Sequence, residues 1–130
     1  MAQIHQGDAL PFIKVPRIQT RVVAGEQTGT EEMTVWEQWM EPGGFIPIHY
    51  HDSEEVLFIV EGTVRLELAD SFLECVAPAS ITVSAYELHG LSPTGNTRIH
   101  LFGIFPTSTP KIFDSEGNPR PLPMQDTQEQ

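Results

Sequence analysis

The sequence predicts an all-β fold of short antiparallel strands, and three features carry that prediction. Apolar residues recur with a period of two in one segment after another, and no long stretch holds them at helical spacing. Eleven prolines and ten glycines interrupt the 130 residues, which favours many turns over long helices. The 39% of hydrophobic residues nevertheless provide enough apolar surface for a packed core, which separates the chain from disordered sequences. The length suits a single domain, 1–130, and leaves no room for a second of ordinary size.

The elements follow in order. The opening "MAQIHQGDALPF" has neither a cationic leader nor an apolar core, and no window approaches the length of a bilayer span, so a cytoplasmic chain with no membrane contact is expected. His5 reads as a surface residue. Strands are expected at 18–24 and 33–40, the second placing Trp36, Gln38 and Met40 on one face and Val35, Glu37 and Trp39 on the other. Pro42-Gly43-Gly44 suits a type II turn into a strand at 45–51. Asp52-Ser53 is a short connection that brings Glu55 back beside it. Residues 54–69 read as a hairpin: "VLFIV" is continuously apolar, Val64, Leu66 and Leu68 alternate with Arg65 and Glu67, and Glu61-Gly62 lies between as a two-residue turn.

Further strands are expected at 72–77, 80–84 and 97–105, separated by "ADS", "APAS" and "SPTGN". In the last, His100 shares its face with Arg98, Phe102 and Ile104, opposite Ile99, Leu101 and Phe105. Both faces are apolar, so periodicity does not orient it. Eight or so strands without covering helices must close into a barrel or a jelly roll to bury their faces and hide their edges. The barrel core is placed at about 17–106. Residues 107–130 form a Pro-rich arm, polar apart from Ile112, Phe113, Leu122 and Met124, packed over the barrel or a partner and frayed at its end.

Charge and cysteine content exclude some functions. The formal charge of −11, with only seven Lys and Arg and no basic run, argues against nucleic acid as a partner. Cys75 is the lone cysteine, so there is no internal disulfide, and its strand setting suggests an inert thiol.

The chemistry concentrates in "GGFIPIHYHDSEEVLFIVEG". On a strand, His49 and His51 point to one side and Tyr50 to the other, so two imidazoles are aimed together. With Glu55 they form a ligand set suited to Fe(II), Mn(II), Co(II), Ni(II) or Zn(II). His89, in "VSAYELHGLSP", is the natural fourth ligand, because strands distant in sequence lie side by side in a barrel. Asp52 and Glu54 are assigned to the solvated acidic surface.

At these residues the chain resembles the cupins. Their first motif, G-x5-H-x-H-x3-E-x6-G, is matched by Gly43, His49, His51, Glu55 and Gly62 at every spacing. Their second motif retains His89, while Ser84, Tyr86 and Pro93 replace its proline, a glycine and its asparagine. The resemblance covers about residues 30–106 and implies a jelly-roll β-barrel holding one divalent transition metal by three His and one Glu. Fe2+ or Mn2+ is favoured because either expands readily to five or six coordinates, with Zn2+, Ni2+ or Co2+ as alternatives. It also favours an inward His100, together with Phe102 and Ile104, and an inward face of Trp36, Gln38 and Met40 as a substrate wall.

The expected function is a metal-dependent enzyme acting on a small oxygenated organic molecule, first as a non-haem dioxygenase, with His100 or Tyr86 moving protons. An oxygen-independent isomerase, cyclase or lyase uses the same ligands, and a non-catalytic small-molecule sensor is the reading from another class. A homodimer is expected, through the face carrying Val22 and Val23 or through Ile112 and Phe113.

Overall fold

The computed structural model describes residues 1–121, and the period-two segments become two facing sheets of six antiparallel strands. The strands are β1 (Ile13–Val15), β2 (Ile18–Ala24), β3 (Thr34–Met40), β4 (Ile46–Tyr50), β5 (Glu55–Glu61), β6 (Thr63–Glu67), β7 (Phe72–Val76), β8 (Ala79–Val83), β9 (His89–Pro93), β10 (Ile99–Phe105), β11 (Ile112–Asp114) and β12 (Pro119–Arg120). One sheet runs β1-β2-β3-β10-β5-β8 and the other β12-β11-β4-β9-β6-β7. This is a jelly roll. Its core, made by Met40, Leu57, Ile59, Val64, Leu66, Val83, Leu91, Ile99 and Leu101, comes from both sheets, as expected when each buries one face against the other.

Two turns show why the local sequence folds this way. At "EPGG" the Gly44 N–H donates to the Glu41 carbonyl at 2.9 Å and Gly43 has φ +90°, the left-handed third position that a type II turn needs. Gly62, at φ +99°, does something different from the expected hairpin turn. β5 pairs with β10 and β8, whereas β6 pairs with β7 and β9, so residues 54–69 are two consecutive strands in opposite sheets. Gly62 is the corner between them. A Cβ there would collide with the Arg98 carbonyl, and only glycine lets the chain cross so close to the next strand.

The sheets also extend past the expected core of 17–106, through β1 at the start and β11 and β12 at the end. The first part of the expected arm is therefore built into a sheet: Phe113 pairs with Tyr50 and Asp114 with His49. Leu122 and Met124 lie outside the described residues. Among the described residues no helix is long and apolar enough to cross a membrane. Cys75 is a half-buried free thiol, and burial raises its pKa.

Candidate metal centre

Three histidines converge from two strands and a loop. His49 lies on β4 and pairs directly with His89 on β9, while His51 follows β4 by one residue and so keeps the orientation of His49. The strands can approach so closely because position 90 is glycine: a Cβ there would lie 2.8 Å from the Ile46 carbonyl oxygen. One ring nitrogen from each of His49, His51 and His89 lies within 4.8 Å of the others. Glu55 enters from the facing sheet, as the first residue of β5, and its Oε1 sits 3.3 Å from both His51 Nε2 and His89 Nε2. The short connection through Asp52-Ser53 thus carries the carboxylate across the interior, and the expected return alongside β4 is replaced by a return from the opposite sheet.

Each imidazole is oriented by a backbone carbonyl. His49 Nδ1 lies 2.7 Å from the Pro47 oxygen, His51 Nδ1 2.8 Å from the Lys111 oxygen and His89 Nδ1 2.8 Å from the Glu87 oxygen. A carbonyl only accepts, so each Nδ1 must carry the hydrogen and donate, which leaves Nε2 as the nitrogen that could coordinate a cation in all three. Among the described residues, His51 Nε2 is the one buried side-chain nitrogen or oxygen without a hydrogen-bond partner. Such an orphan is costly in a packed interior unless something binds it. A divalent cation is the partner that suits an unprotonated imidazole nitrogen beside two more imidazoles and a carboxylate, so the residues present fit the metal.

Burial, and then the neighbouring His89, lower the His49 pKa to about 4, so this imidazole is neutral near pH 7. Burial alone would raise Glu55, but the His51 and His89 imidazoles beside its carboxylate outweigh it and hold it well below its usual range. Burial opposes charge on His89 as well, yet the bond to Glu55 keeps its pKa raised. The charge balance is a carboxylate with a proton held against it, and a cation can take that proton's place.

The cluster opens into a cavity of about 500 Å³. Trp36, Leu57, Ile13, Val15, Ile18, Phe45, Ile46, Ile48 and Ile112 make its wall mainly apolar, while Arg120 and Asp114 also line it. Gln38 and Thr20 supply a polar point on the wall, joined at 3.1 Å from Nε2 to Oγ1. Phe105 meets His51 edge-on at a centroid distance of 4.9 Å and Trp36 at 4.7 Å, and so buttresses the centre from below.

The remaining sequence-derived candidates divide between the cavity and other places. Trp36 and Gln38 line the cavity, but Met40, on the same face of β3, is consumed by the core. On β10 the inward residues are Ile99, Leu101, Gly103 and Phe105. His100, Phe102 and Ile104 therefore face the outer side of the sheet, contrary to the expected parity, because the bulky aliphatic face of β10 is the one the core takes. His100 is held there by Glu37, Nε2 to Oε2 at 2.7 Å, and stacks on Trp39 with rings 4.6 Å apart and 7° from parallel. Glu37 also accepts from Arg21 Nε at 2.8 Å.

Tyr86 likewise points away from the cavity and is 66% exposed. Its backbone takes φ +68° and donates its N–H to the His51 carbonyl at 2.7 Å. A tyrosine adopts the left-handed conformation that a glycine would take without strain. Ile112 faces the cavity and Phe113 stacks on Tyr50, contacts made within the chain. Sequence reading missed Thr20, Phe45 and the β1 residues of the wall. Phe45 was legible as an apolar residue just ahead of the His strand, whereas nothing local marks Thr20 or places β1.

A family model described as "Cupin domain" matches residues 36–105. Auxin-binding protein 1 of Arabidopsis thaliana is 28% identical over 108 residues, covering 75% of this chain and 54% of that protein; the chain thus spans about half the length of that curated relative. Among solved structures, the polyketide cyclase RemF from Streptomyces resistomycificus superposes with a TM-score of 0.74 at 22% identity, covering 98% of this chain and 93% of that one. An oxalate decarboxylase from Lactobacillus farciminis, in a formate complex, gives 0.75 at 14% identity over 83% of this chain and 34% of that one.

Proposed function

We propose that this chain, which belongs to the cupin family, is a divalent-metal-dependent enzyme that acts on a small oxygenated organic molecule with a mainly apolar body. The observation that supports this reading is the joining of two features: a cluster of three imidazoles and a carboxylate, opening directly onto an apolar cavity of about 500 Å³. A structural metal site is closed, whereas a catalytic one keeps access to a ligand from outside. His49, His51, His89 and Glu55 would hold the cation. When bound, it supplies Lewis acidity towards a substrate oxygen and, for iron, electrons for oxygen chemistry.

The chain's own residues do the rest. Trp36, Ile18, Ile46 and Leu57 exclude water and take the apolar body of the substrate. The Gln38–Thr20 pair orients a polar group on it. With His100 and Tyr86 outside the cavity, the titratable side chains on its wall, apart from the four that would hold the cation, are Asp114 and Arg120.

Oxidation by dioxygen is the first reaction type proposed, with Fe2+ or Mn2+ as the metal. Metal-assisted cyclisation or isomerisation is the second, favoured by a wall that offers shape and little acid–base chemistry, and by the end-to-end likeness to a polyketide cyclase. Oxygen uptake by iron-loaded protein over a panel of hydroxylated aromatic and dicarbonyl compounds separates them. Consumption of oxygen in step with substrate supports the dioxygenase; equal turnover under argon and air leaves the cyclase or isomerase.

A further inference from the structure

We propose that Gly103 is a positioning residue for the metal centre, leaving empty the space in which the Glu55 carboxylate stands. This rests on the metal reading above and adds to it a residue outside the ligand set. Gly103 lies on the inward face of β10 between Leu101 and Phe105, opposite Trp36 on β3 and Leu57 on β5. Glycine in the middle of a strand gives up side-chain packing and adds backbone freedom, so it calls for a local reason.

Conformation does not provide that reason, because Gly103 is not among the glycines with positive φ. Space does. A Cβ at 103 would lie 2.9 Å from Glu55 Oε2, whereas the next neighbours, Leu57 Cδ2 at 3.8 Å and Phe105 Cε2 at 4.0 Å, are ordinary contacts. One methyl group therefore conflicts with one atom, and that atom belongs to the carboxylate whose other oxygen is 3.3 Å from His51 Nε2 and His89 Nε2. Glu55 is itself 5% exposed and hemmed in, so its route of escape is rotation of its terminal group away from the imidazoles. The backbone and the aliphatic neighbours need not move.

The test is a double-mutant cycle of Glu55→Ala and Gly103→Ala, read by Co(II) titration of metal-stripped protein, by the Co(II) absorption spectrum and by melting of the metal-free forms. G103A is expected to bind Co(II) about 10- to 100-fold more weakly than the parent, with a spectrum shifted towards that of E55A. Its metal-free melting temperature should stay close to the parent's. In E55A/G103A, where there is no carboxylate to displace, the added methyl should change neither affinity nor spectrum relative to E55A.

An unchanged G103A, or one weakened equally in the E55A background, overturns the inference and leaves the metal centre standing. A parent chain that takes up no Co(II) overturns the metal reading and this inference with it. If G103A fails to fold, folding of E55A/G103A supports the clash with the carboxylate, and failure of both overturns it.

Discussion

Replacing His51 by alanine removes a buried imidazole whose Nε2 has no hydrogen-bond partner and whose Nδ1 spans 60 residues to hold the Lys111 carbonyl at 2.8 Å. Two effects are expected. Metal content after purification and dialysis, read by elemental analysis, falls to background, because two remaining imidazoles and a carboxylate lose the ligand placed between them. Stability of the metal-free chain changes much less than a core deletion would cost, since the orphaned nitrogen goes together with the lost packing.

Tyr86 allows the opposite experiment. Left-handed backbone costs a non-glycine residue about 1–2 kcal/mol, while glycine adds about 0.5–1 kcal/mol of unfolded-state freedom. Tyr86→Gly should therefore raise stability by up to about 1 kcal/mol in urea denaturation and leave metal affinity unchanged. The clustering of His49, His51 and Glu55 was legible because their spacing along one strand and just past it carries the geometry, and His89 because a barrel brings distant strands side by side. The exposure of Tyr86 was not, because it lies in a turn between β8 and β9, where no strand alternation orients a side chain.

At the level of the element, β10 explains most of what the sequence left open. Its residues are apolar on both faces, so alternation alone could not say which row enters the core. The neighbours decide it: Ile99, Leu101 and Phe105 meet Met40, Gln38 and Thr34 on β3, while the other row faces a polar cluster built from β2, β3 and β10. In that cluster Glu37 is 7% exposed and accepts from Arg21 at 2.8 Å and contacts His100 at 2.7 Å. Arg21 in turn donates to the Gly7 carbonyl at 2.8 Å and lies over Phe12 and Trp39. The cluster thus fastens the N-terminal segment across the outside of the sheet. Glu37→Gln keeps the shape but removes the charge that Arg21 needs, and should destabilise the fold by about 1–3 kcal/mol in denaturant titration. Since His100 does not face the cavity, the same variant should bind Co(II) as the parent does. Weakened metal binding in E37Q would contradict the outward assignment of His100.

For the whole molecule, the centre links the two sheets, because Glu55 belongs to one and His49 and His89 to the other. A ligand that spans both binds the folded chain alone, and metal at 100 times its dissociation constant adds about 2.7 kcal/mol of stability. For a domain of this size that raises the melting temperature on the order of 10 °C, reversibly with chelator. The same linkage has a defined pH dependence. His49 is already neutral above about pH 4 and contributes no competition near neutrality. His89, whose pKa is raised by Glu55, retains a proton that the metal must displace. The metal-free centre therefore binds more protons than the metal-loaded one, so acid favours the metal-free form and affinity rises with pH until His89 has lost its proton. The increment in melting temperature on adding Zn(II) or Co(II) should shrink as pH falls below neutral, and titration calorimetry in buffers of different ionisation enthalpy should show a proton released on binding. In Glu55→Gln the His89 proton is no longer held. Metal binding should then be weaker at every pH, with a smaller proton release near neutrality, and an unchanged release would locate the displaced proton on another group.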